Sequence, residues 1–190
     1  MLNNLAYSVQ EELPLSLDEA FAPLLAYDKR LLNIAARILG DREEAMDAVQ
    51  DAYLSAYRGF AGFRGDSQPF TWLCRITLHE CARRGRKKTQ RRTREVDLEL
   101  VSARGHEPGV HDAGHATVDQ STTSRKIREV VRSLPEAYRD VVVLRYFEQM
   151  SYAEIAAITN CMLGTVKSRL SRAHARLAKL IPSEFLADVV

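Results

Sequence analysis

Cationic side chains are concentrated in two stretches of this chain. Residues 83–94 read RRGRKKTQRRTR, with eight basic residues and no acidic one. Residues 125–181 carry eleven basic residues against five acidic ones. Because clustered lysine and arginine side chains bind phosphate groups, the two stretches predict two separate anion-binding surfaces. The alternative for each stretch is a solvated helix face that binds no ligand.

The second stretch has the pattern of a helix-turn-helix. The segment SYAEIAAITNCMLGTVKSRLSRAHARL predicts a short helix, a turn at residues 159–162 and a longer helix from Leu163. The first residues of such a second helix read base edges in the major groove, and later residues contact phosphates. The residues predicted to read bases are Thr165, Lys167, Ser168 and Arg169. Those predicted to bind phosphates are Arg172 and Arg176.

The first stretch continues a predicted helix that begins at Pro69 and follows a polar loop. Single-stranded nucleic acid is held by basic side chains along its backbone and by exposed rings or pockets for its bases. The loop and the helix together predict such a site. Its candidate residues are Phe63, Arg64, Asp66, Ser67, His79, Arg83, Arg84 and Lys87. Trp72 is interpreted as a core residue, because it lies in phase with Ile76.

An acidic surface is predicted on the helix that precedes this loop. The face opposite its apolar stripe carries Asp47, Gln50, Asp51 and Leu54. An apolar residue within an acidic face suits a basic helical partner, although a solvated surface gives the same pattern. Exposed charges contribute little to folding, so we expect reversal of the two aspartates to leave stability nearly intact.

Metal and redox sites are the alternatives to these binding surfaces. His106, His111 and His115 with Asp112 form a candidate metal set, and Cys74 and Cys81 lie seven residues apart. The histidines fall in a segment predicted to be flexible, and the cysteine spacing is not that of a zinc knuckle. No Ser-His-acid set, Gly-rich phosphate loop or carboxylate pair indicates an enzyme, and no cofactor is predicted.

The elements that carry the N-terminal candidates are predicted to be three helices. Apolar residues at spacings of three and four run from Leu17 to Leu39, and Gly40 is suited to end that helix. Asp41 is the N-cap of a second helix towards Phe60. The third helix runs from Pro69 into the basic stretch. These helices are expected to enclose one small core.

The C-terminal candidates also lie on predicted helices. The segment RKIREVVRSL precedes a helix that starts near Pro135. Ser151 and Glu154 match a capping box before the short helix of the helix-turn-helix. No alternation typical of strands is visible. The predicted fold class is therefore all-α, with two small helical domains joined by a flexible linker.

The linker is predicted from a change in composition. Residues 93–124 mix Gly, Ser, Thr, His, Pro and acidic residues without lasting apolar periodicity. The predicted organisation is an N-terminal extension at 1–15, a helical domain at 16–92, the linker at 93–124, a helix-turn-helix domain at 125–182 and a tail at 183–190. We expect the two domains to fold independently and to be brought together by partners, not by each other.

The whole-chain composition is that of a soluble globular protein. Among 190 residues, 27 basic and 25 acidic residues give a net charge of +2. The N-terminus does not resemble a signal peptide, and no stretch approaches the about 20 apolar residues that span a bilayer. Three cysteines are too few for a secreted disulfide framework. These features predict a cytoplasmic protein without membrane insertion.

Two long motifs resemble the extracytoplasmic-function (ECF) sigma factors of the sigma-70 family. DREEAMDAVQDAYLSAYRGFAGFRGDSQPFTWLCRITLHECARR is similar to their second conserved region, and LPEAYRDVVVLRYFEQMSYAEIAAITNCMLGTVKSRLSRAHARL to their fourth. The match covers most of residues 16–182 in the family's order. It implies a non-enzymatic protein that directs RNA polymerase core to specific promoters and initiates transcription.

The resemblance also implies a role for each candidate surface. The acidic face around Asp47 and Asp51 matches the surface that docks on the polymerase clamp helices. Residues 63–69 and the following helix match the part that captures a flipped base of the minus-10 element. The helix from Leu163 matches the reader of the minus-35 element. The polymerase flap and an anti-sigma protein are the other implied partners, and the linker matches the segment that threads towards the RNA exit channel.

Three positions depart from the family's pattern. His79 stands where the family usually has Asn, which affects the preference for a minus-10 base. Asn160 and Met162 replace the Gly and Pro often found in the turn of the fourth region. Two rival functions are a stand-alone helix-turn-helix regulator with an N-terminal sensor or dimerisation unit, and a metal-responsive enzyme or switch built on the linker histidines. A regulator binds duplex DNA unaided, whereas a sigma factor needs core polymerase.

Overall fold

The computed structural model describes residues 17–102 and 122–180. All elements in these ranges are helical, and they form an N-terminal unit of residues 17–102 and a C-terminal unit of residues 122–180. The predicted all-α class with two helical domains is confirmed. The predicted N-terminal extension and C-terminal tail and most of the predicted linker lie outside the described residues.

The N-terminal unit contains the three predicted helical segments, with one interruption. Its helices are α1 (Leu17–Phe21), α2 (Asp28–Leu39), α3 (Arg42–Gly59) and α4 (Pro69–Ser102), with 3-10 turns at Ala22–Tyr27 and Phe60–Gly62. The single helix predicted between Leu17 and Leu39 is broken at its start. Pro23 lies in the first turn after the break, and it has no N–H to bond the preceding turn of a continuous helix.

The C-terminal unit begins with two helices and ends with the predicted helix-turn-helix. Its helices are α5 (Thr122–Ser133), α6 (Glu136–Val142), α7 (Tyr152–Thr159) and α8 (Leu163–Leu180), and α6 continues as a π-helical turn at Val143–Phe147. Asn160 has left-handed backbone angles, with φ of 49°, and its N–H donates to the carbonyl oxygen of Ala156. The turn predicted at residues 159–162 is confirmed.

Side-chain caps fix the starts of α3 and α7. Oδ1 of Asp41 accepts hydrogen bonds from the backbone N–H groups of Glu43 and Glu44, at 2.9 and 3.2 Å. Oγ of Ser151 accepts from the N–H of Glu154, whose carboxylate accepts from the N–H of Ser151 at 2.8 Å. Each of these bonds satisfies an N–H that the helix leaves unpaired. Both predicted caps are confirmed.

The core follows most of the predicted stripes. In α3 the buried side chains are Ala45, Ala48, Val49, Ala52 and Ala56, and in α8 they are Val166, Leu170 and Ala173. The predicted stripe is wrong at Leu17 and Leu25, which are 41% and 55% exposed. The break between α1 and α2 changes the phase of the helix, so these two leucines turn away from the core.

The helix ends differ from the predicted linker boundaries. α4 continues to Ser102, into the segment assigned to the linker, and α5 begins at Thr122. No Gly or Pro occurs between Gly85 and Gly105, so the sequence contains no residue that ends the helix earlier. Among the described residues, none of the helices is both long enough and apolar enough to cross a membrane.

The two units pack against each other. Nε of Arg30 in α2 donates to Oε2 of Glu148 at 2.9 Å, and Nη2 of Arg75 in α4 donates to the carbonyl oxygen of Ala157 at 2.5 Å. Buried apolar residues of both units form one continuous cluster. The expectation that only partners bring the units together is therefore wrong for this structure. The polar contacts involve the charged side chains of Arg30, Arg75 and Glu148, which helical periodicity alone places on the surface.

Candidate nucleic-acid interface

The outward face of α8 carries the residues predicted to read DNA. Lys167 and Ser168 are exposed one turn from the start of the helix, and Arg172 and Arg176 are exposed further along. Thr165 is half-buried, and its carbonyl oxygen accepts a hydrogen bond from Oγ of Ser168 at 2.9 Å. All five residues lie outside the buried stripe of α8, which consists of Val166, Leu170 and Ala173.

Arg169 differs from its neighbours on α8. Its side chain is half-buried, and its Nη1 lies 3.9 Å from Sγ of Cys161 in the turn. Oγ1 of Thr159 contacts the same sulfur at 3.2 Å. The guanidinium of Arg169 therefore packs against the turn in this structure. The side chain must rotate away from Cys161 before it can make a bidentate contact with a base.

Two further contacts hold the C-terminal half of α8, which carries the predicted phosphate-binding residues, in place. The guanidinium of Arg176 lies 5.4 Å from the ring centre of Tyr138. Oη of Tyr146 and Nε2 of His174 are 2.6 Å apart. These contacts link α8 to α6 and to the turn that follows it, so the basic face of α8 has a fixed direction relative to the unit.

The loop before α4 presents a charged tip beside an aromatic cluster. Arg64 and Asp66 are 84% and 81% exposed and lie 3.5 Å apart as an ion pair. The ring of Phe63 is half-buried, 4.8 Å from the ring of Trp72 and nearly parallel to that of Phe60. Trp72 packs against the core, as predicted. Phe63 is held against these rings, so only part of its ring is accessible.

The first arginines of the basic stretch at residues 83–94 are paired with acidic side chains. Arg83 donates to Glu80 at 2.6 Å and to Asp51 at 2.9 Å, while Arg84 donates to Asp51 at 2.6 Å and to Asp47 at 3.2 Å. His79 and Lys87 are exposed on the same helix. The hydrogen bond from Arg84 holds the pKa of Asp51 below its usual value. The predicted acidic and basic surfaces therefore meet along one line of ion pairs.

The acidic face of α3 is only partly exposed. Asp47, Gln50 and Leu54 point to solvent, and Leu54 is 50% exposed. Asp51 is half-buried beneath the arginines of α4. Three of the four predicted residues are thus exposed to a partner. The carboxylate of Asp51 is already paired with Arg83 and Arg84.

An apolar groove beside this face was missed in the sequence. It lies between α2, α3 and the 3-10 turn before α2, has a volume of about 570 Å³, and is lined by Phe21, Leu25, Asp28, Leu32, Met46, Val49, Gln50, Tyr53, Leu54 and Tyr57. Leu25, Met46 and Leu54 are each close to half exposed. The available signal was that Met46 and Leu54, eight residues apart on one helix, fall outside the buried stripe.

The cysteines and histidines form no site among the described residues. Cys74 and Cys81 are fully buried, and burial raises the pKa of each thiol to about 12. Both thiols are therefore protonated and unreactive at neutral pH. Residues 17–102 and 122–180 contain no group of three potential metal ligands. The candidate ligands His106, His111, Asp112 and His115 lie outside the described residues.

Comparison with known proteins places both units. Residues 24–92 match the profile of Sigma-70 region 2, and residues 124–177 match that of Sigma-70, region 4. The chain is 31% identical over 171 residues to the RNA polymerase sigma-H factor of Pseudomonas aeruginosa, covering 83% of each protein. It is 33% identical over 155 residues to the ECF RNA polymerase sigma-E factor of Escherichia coli K12, covering 80% of each.

Solved structures also include similar sigma factors. The sigma factor RpoE of Bartonella quintana, solved with the anti-sigma factor NepR, is similar with a TM-score of 0.59 and 26% identity, over 86% of this chain and 96% of that one. CnrH, solved with the cytosolic domain of CnrY, is similar with a TM-score of 0.56 and 26% identity, over 85% and 86%. The protein is therefore an ECF member of the sigma-70 family, a non-enzymatic factor that directs RNA polymerase to promoters and initiates transcription.

Proposed function

We propose that this sigma factor reads promoters with two surfaces and docks on RNA polymerase with a third. α8 contacts the minus-35 element, the loop at residues 63–67 with the exposed side of α4 contacts the minus-10 element, and the exposed side of α3 contacts the clamp helices. The single observation that best supports this assignment is the basic outward face of α8, which follows a capped short helix and a left-handed turn.

The minus-35 contacts divide along the length of α8. Thr165, Lys167, Ser168 and Arg169 lie within its first two turns, where a recognition helix meets base edges. Arg172 and Arg176 lie one and two turns later, where the DNA backbone passes the helix. Arg169 reads a base after leaving Cys161, so its contact carries a small cost of rearrangement.

The minus-10 contacts combine a charged loop with a basic helix. Arg64, Asp66 and Ser67 follow Phe63 in the loop, and the accessible part of the Phe63 ring supplies a surface for an unstacked base. His79 and Lys87 are exposed along α4, in line to follow the strand. Arg83 and Arg84 join them when their bonds to Asp51 are exchanged for phosphate oxygens.

The polymerase contact is centred on Asp47, Gln50 and Leu54. These residues give an acidic and amide rim around one exposed apolar side chain, which fits a basic helical partner. Asp51 is less exposed than these residues, and its carboxylate is hydrogen-bonded to Arg84. The polymerase flap is the expected partner of the C-terminal unit.

An anti-sigma protein is a further expected partner. The apolar groove between α2 and α3 shares Gln50 and Leu54 with the proposed polymerase contact. An amphipathic helix of an anti-sigma protein that fills this groove excludes the polymerase from the same residues. The similar sigma factor RpoE was solved in complex with the anti-sigma factor NepR. The cytoplasm is the expected location, because the polymerase and the promoter are there.

In vitro transcription with core polymerase on a library of genomic fragments tests this function. We expect transcripts that share one upstream motif, and we expect Lys167→Ala/Arg172→Ala to lose the minus-35 part of that motif. Lys179→Ala, an exposed charge in the last turn of α8, is the matched control. Tight binding of the chain alone to duplex DNA, without stimulation of core polymerase, contradicts the proposal and favours a stand-alone regulator.

A further inference from the structure

A large cationic groove lies between the two units. We name it the inter-unit groove; it has a volume of about 1250 Å³ and is lined mainly by residues 82–90 of α4 on one side and by residues of α5 and α6 on the other. Its lining contains seven basic side chains and three acidic ones, which is a net charge of +4. Such a concentration of positive charge inside a concave site attracts a multivalent anion.

Among the described residues, three basic groups in the groove have no carboxylate within ion-pair distance, although Arg139 interacts electrostatically with its neighbour Asp140. Arg83, Arg84, Arg86 and Lys88 of α4 are paired with carboxylates. Within the described residues no such pair is recorded for Lys87 of α4, Arg132 of α5 or Arg139 of α6. Nη1 of Arg139 donates only to the carbonyl oxygen of Arg132, at 3.1 Å. The cations without a pair thus come from both sides of the groove.

Two guanidinium groups in the groove also have a buried donor without an acceptor. The Nε atoms of Arg84 and Arg139 are inaccessible to solvent and donate no hydrogen bond within the protein. A buried donor left unpaired is costly, because it loses its bond to water without a replacement. The third such atom, Nε of Arg37, lies outside the groove lining, where its guanidinium stacks on Phe147. Both atoms belong to arginines that line the groove, so its wall holds guanidinium groups that the described residues do not fully satisfy.

The lining also indicates which part of an anion is recognised. Among the described residues, no aromatic ring lines the groove, so these residues offer no platform on which a nucleobase can stack. Guanidinium groups bind phosphate oxygens in bidentate fashion. With about 1250 Å³, the groove has room for a nucleotide-sized ligand and is too small to enclose a duplex. These features fit a chain of phosphoryl groups.

We propose that the inter-unit groove binds a small polyphosphate, either free inorganic polyphosphate or the phosphate tail of a nucleotide. The ligand lies between α4 and the α5–α6 pair, with Arg132 and Arg139 as its contacts in the C-terminal unit. Because it touches both units, it stabilises their packing against each other. Arg132 and Arg139 belong to neither of the proposed promoter surfaces, whereas Arg83, Arg84 and Lys87 on the α4 side also belong to the proposed minus-10 contact. The C-terminal side of the groove is therefore the part that is specific to this ligand.

Calorimetric titration of the full-length protein with tripolyphosphate tests the site. Arg132→Gln/Arg139→Gln removes two cationic contacts, and we expect its affinity to fall by at least about tenfold, the effect of losing one or two charge-assisted hydrogen bonds. Arg42→Gln/Arg58→Gln removes the same charge from α3, outside the groove, and we expect less than about a twofold change. Equal weakening of both variants, or no binding of tripolyphosphate by the unaltered protein, overturns the proposal.

Two further measurements exclude misfolding and identify the ligand's source. Thermal melting without ligand must show that the groove variant still folds, and tripolyphosphate must raise the melting temperature of the unaltered protein but not that of the variant. If the double variant fails to fold, the single variant Arg132→Gln, which changes an exposed side chain, replaces it in the same titration. Similar affinities for GTP and tripolyphosphate support recognition of the phosphate chain. Binding of GTP without binding of tripolyphosphate contradicts recognition of the phosphate chain. The proposal is also contradicted if the groove variant loses single-stranded DNA binding but still binds tripolyphosphate normally.

Discussion

Nη2 of Arg84 donates a hydrogen bond to Oδ2 of Asp51 at 2.6 Å, and this bond joins two surfaces that belong to different proposed partners. Asp51 lies on the helix proposed to meet the polymerase, and Arg84 on the helix proposed to follow the minus-10 strand. Arg83 contacts the same carboxylate oxygen at 2.9 Å. A change at Asp51 therefore affects both surfaces, whereas Asp47 is more exposed and is held by one weaker bond to Arg84.

The first prediction compares the two aspartates. Asp51→Lys places a third cation beside Arg83 and Arg84, so it destabilises the fold by about 1 kcal/mol, while Asp47→Lys costs less because its charge is screened by water. Both are expected to weaken holoenzyme assembly. Urea denaturation and a binding assay with core polymerase measure the two effects. Equal stability of the two variants contradicts the prediction that Asp51 matters more than Asp47 for folding. It supports instead the expectation from sequence that neither charge affects folding.

The direction of the pKa shift of Asp51 predicts how the stability of the protein depends on pH. Arg84 lowers the pKa of Asp51 in the folded state below 3.8, the ordinary value. The ionised carboxylate is therefore favoured by folding, and its contribution is present above pH 3.8 and lost as the pH falls through the folded pKa. We expect Asp51→Asn to reduce stability at pH 7 and to have a smaller effect near pH 2. Denaturation curves at the two pH values provide the measurement.

Asp140 is predicted to behave in the opposite way. Burial raises its pKa from 3.8 to about 7, so folding favours the protonated carboxyl. Its contribution to stability is greatest below pH 3.8 and is lost as the pH rises through about 7. We expect Asp140→Asn to be more stable than the unaltered protein at pH 8 and to lose this advantage near pH 4. A stability difference that is independent of pH contradicts the buried, protonated state.

The two cations near the start of α8 are predicted to differ in their effects on DNA binding. Arg169→Ala is expected to reduce discrimination at one position of the minus-35 element by about 1–3 kcal/mol, the range for a bidentate base contact. Lys167→Ala is expected to affect fewer bases and to act more through charge. Holoenzyme binding to a set of single-base promoter variants separates these effects. Unchanged selectivity of Arg169→Ala shows that Arg169 only supports the turn at Cys161.

The capping box of α7 is predicted to stabilise the helix-turn-helix. Ser151→Ala removes the acceptor for the N–H of Glu154 and is expected to cost about 1 kcal/mol. Glu154→Gln keeps an acceptor for the N–H of Ser151, so a smaller loss is expected from this control. Denaturation of the full chain gives both values. A larger loss for Glu154→Gln than for Ser151→Ala shows that charge at the start of α7, rather than the cap, carries the effect.

The contact between the units is predicted to depend on Arg30 and Glu148. Glu148 is 10% exposed, so Glu148→Ala leaves Arg30 without its partner across the interface. We expect the radius of gyration from small-angle scattering to increase, because the units separate. Glu43→Ala is the control, since Glu43 is an exposed acid on α3 away from this interface. An unchanged radius shows that the apolar contacts suffice to keep the units together.

The sequence by itself determined the local structure and the family. Asp41 and Ser151 capped their helices where short-range hydrogen-bond rules predicted, and Asn160 adopted the left-handed turn. The buried face of α8 followed from its spacing of apolar residues. These features depend on residues within about one helical turn of each other, so they are readable from a single chain. The order of the two sigma-70 motifs then identified the protein.

The tertiary structure decided which charges are free and which are paired. Asp51 and Arg84 are 33 residues apart, and Arg30 and Glu148 are 118 apart, so helical periodicity on either element leaves each of them as a surface charge. The exposure of Leu25 and the inter-unit groove have the same origin, because both depend on how separate helices are placed. Packing between distant elements, which has no repeat in the sequence, sets the charge and shape of every binding surface in this protein.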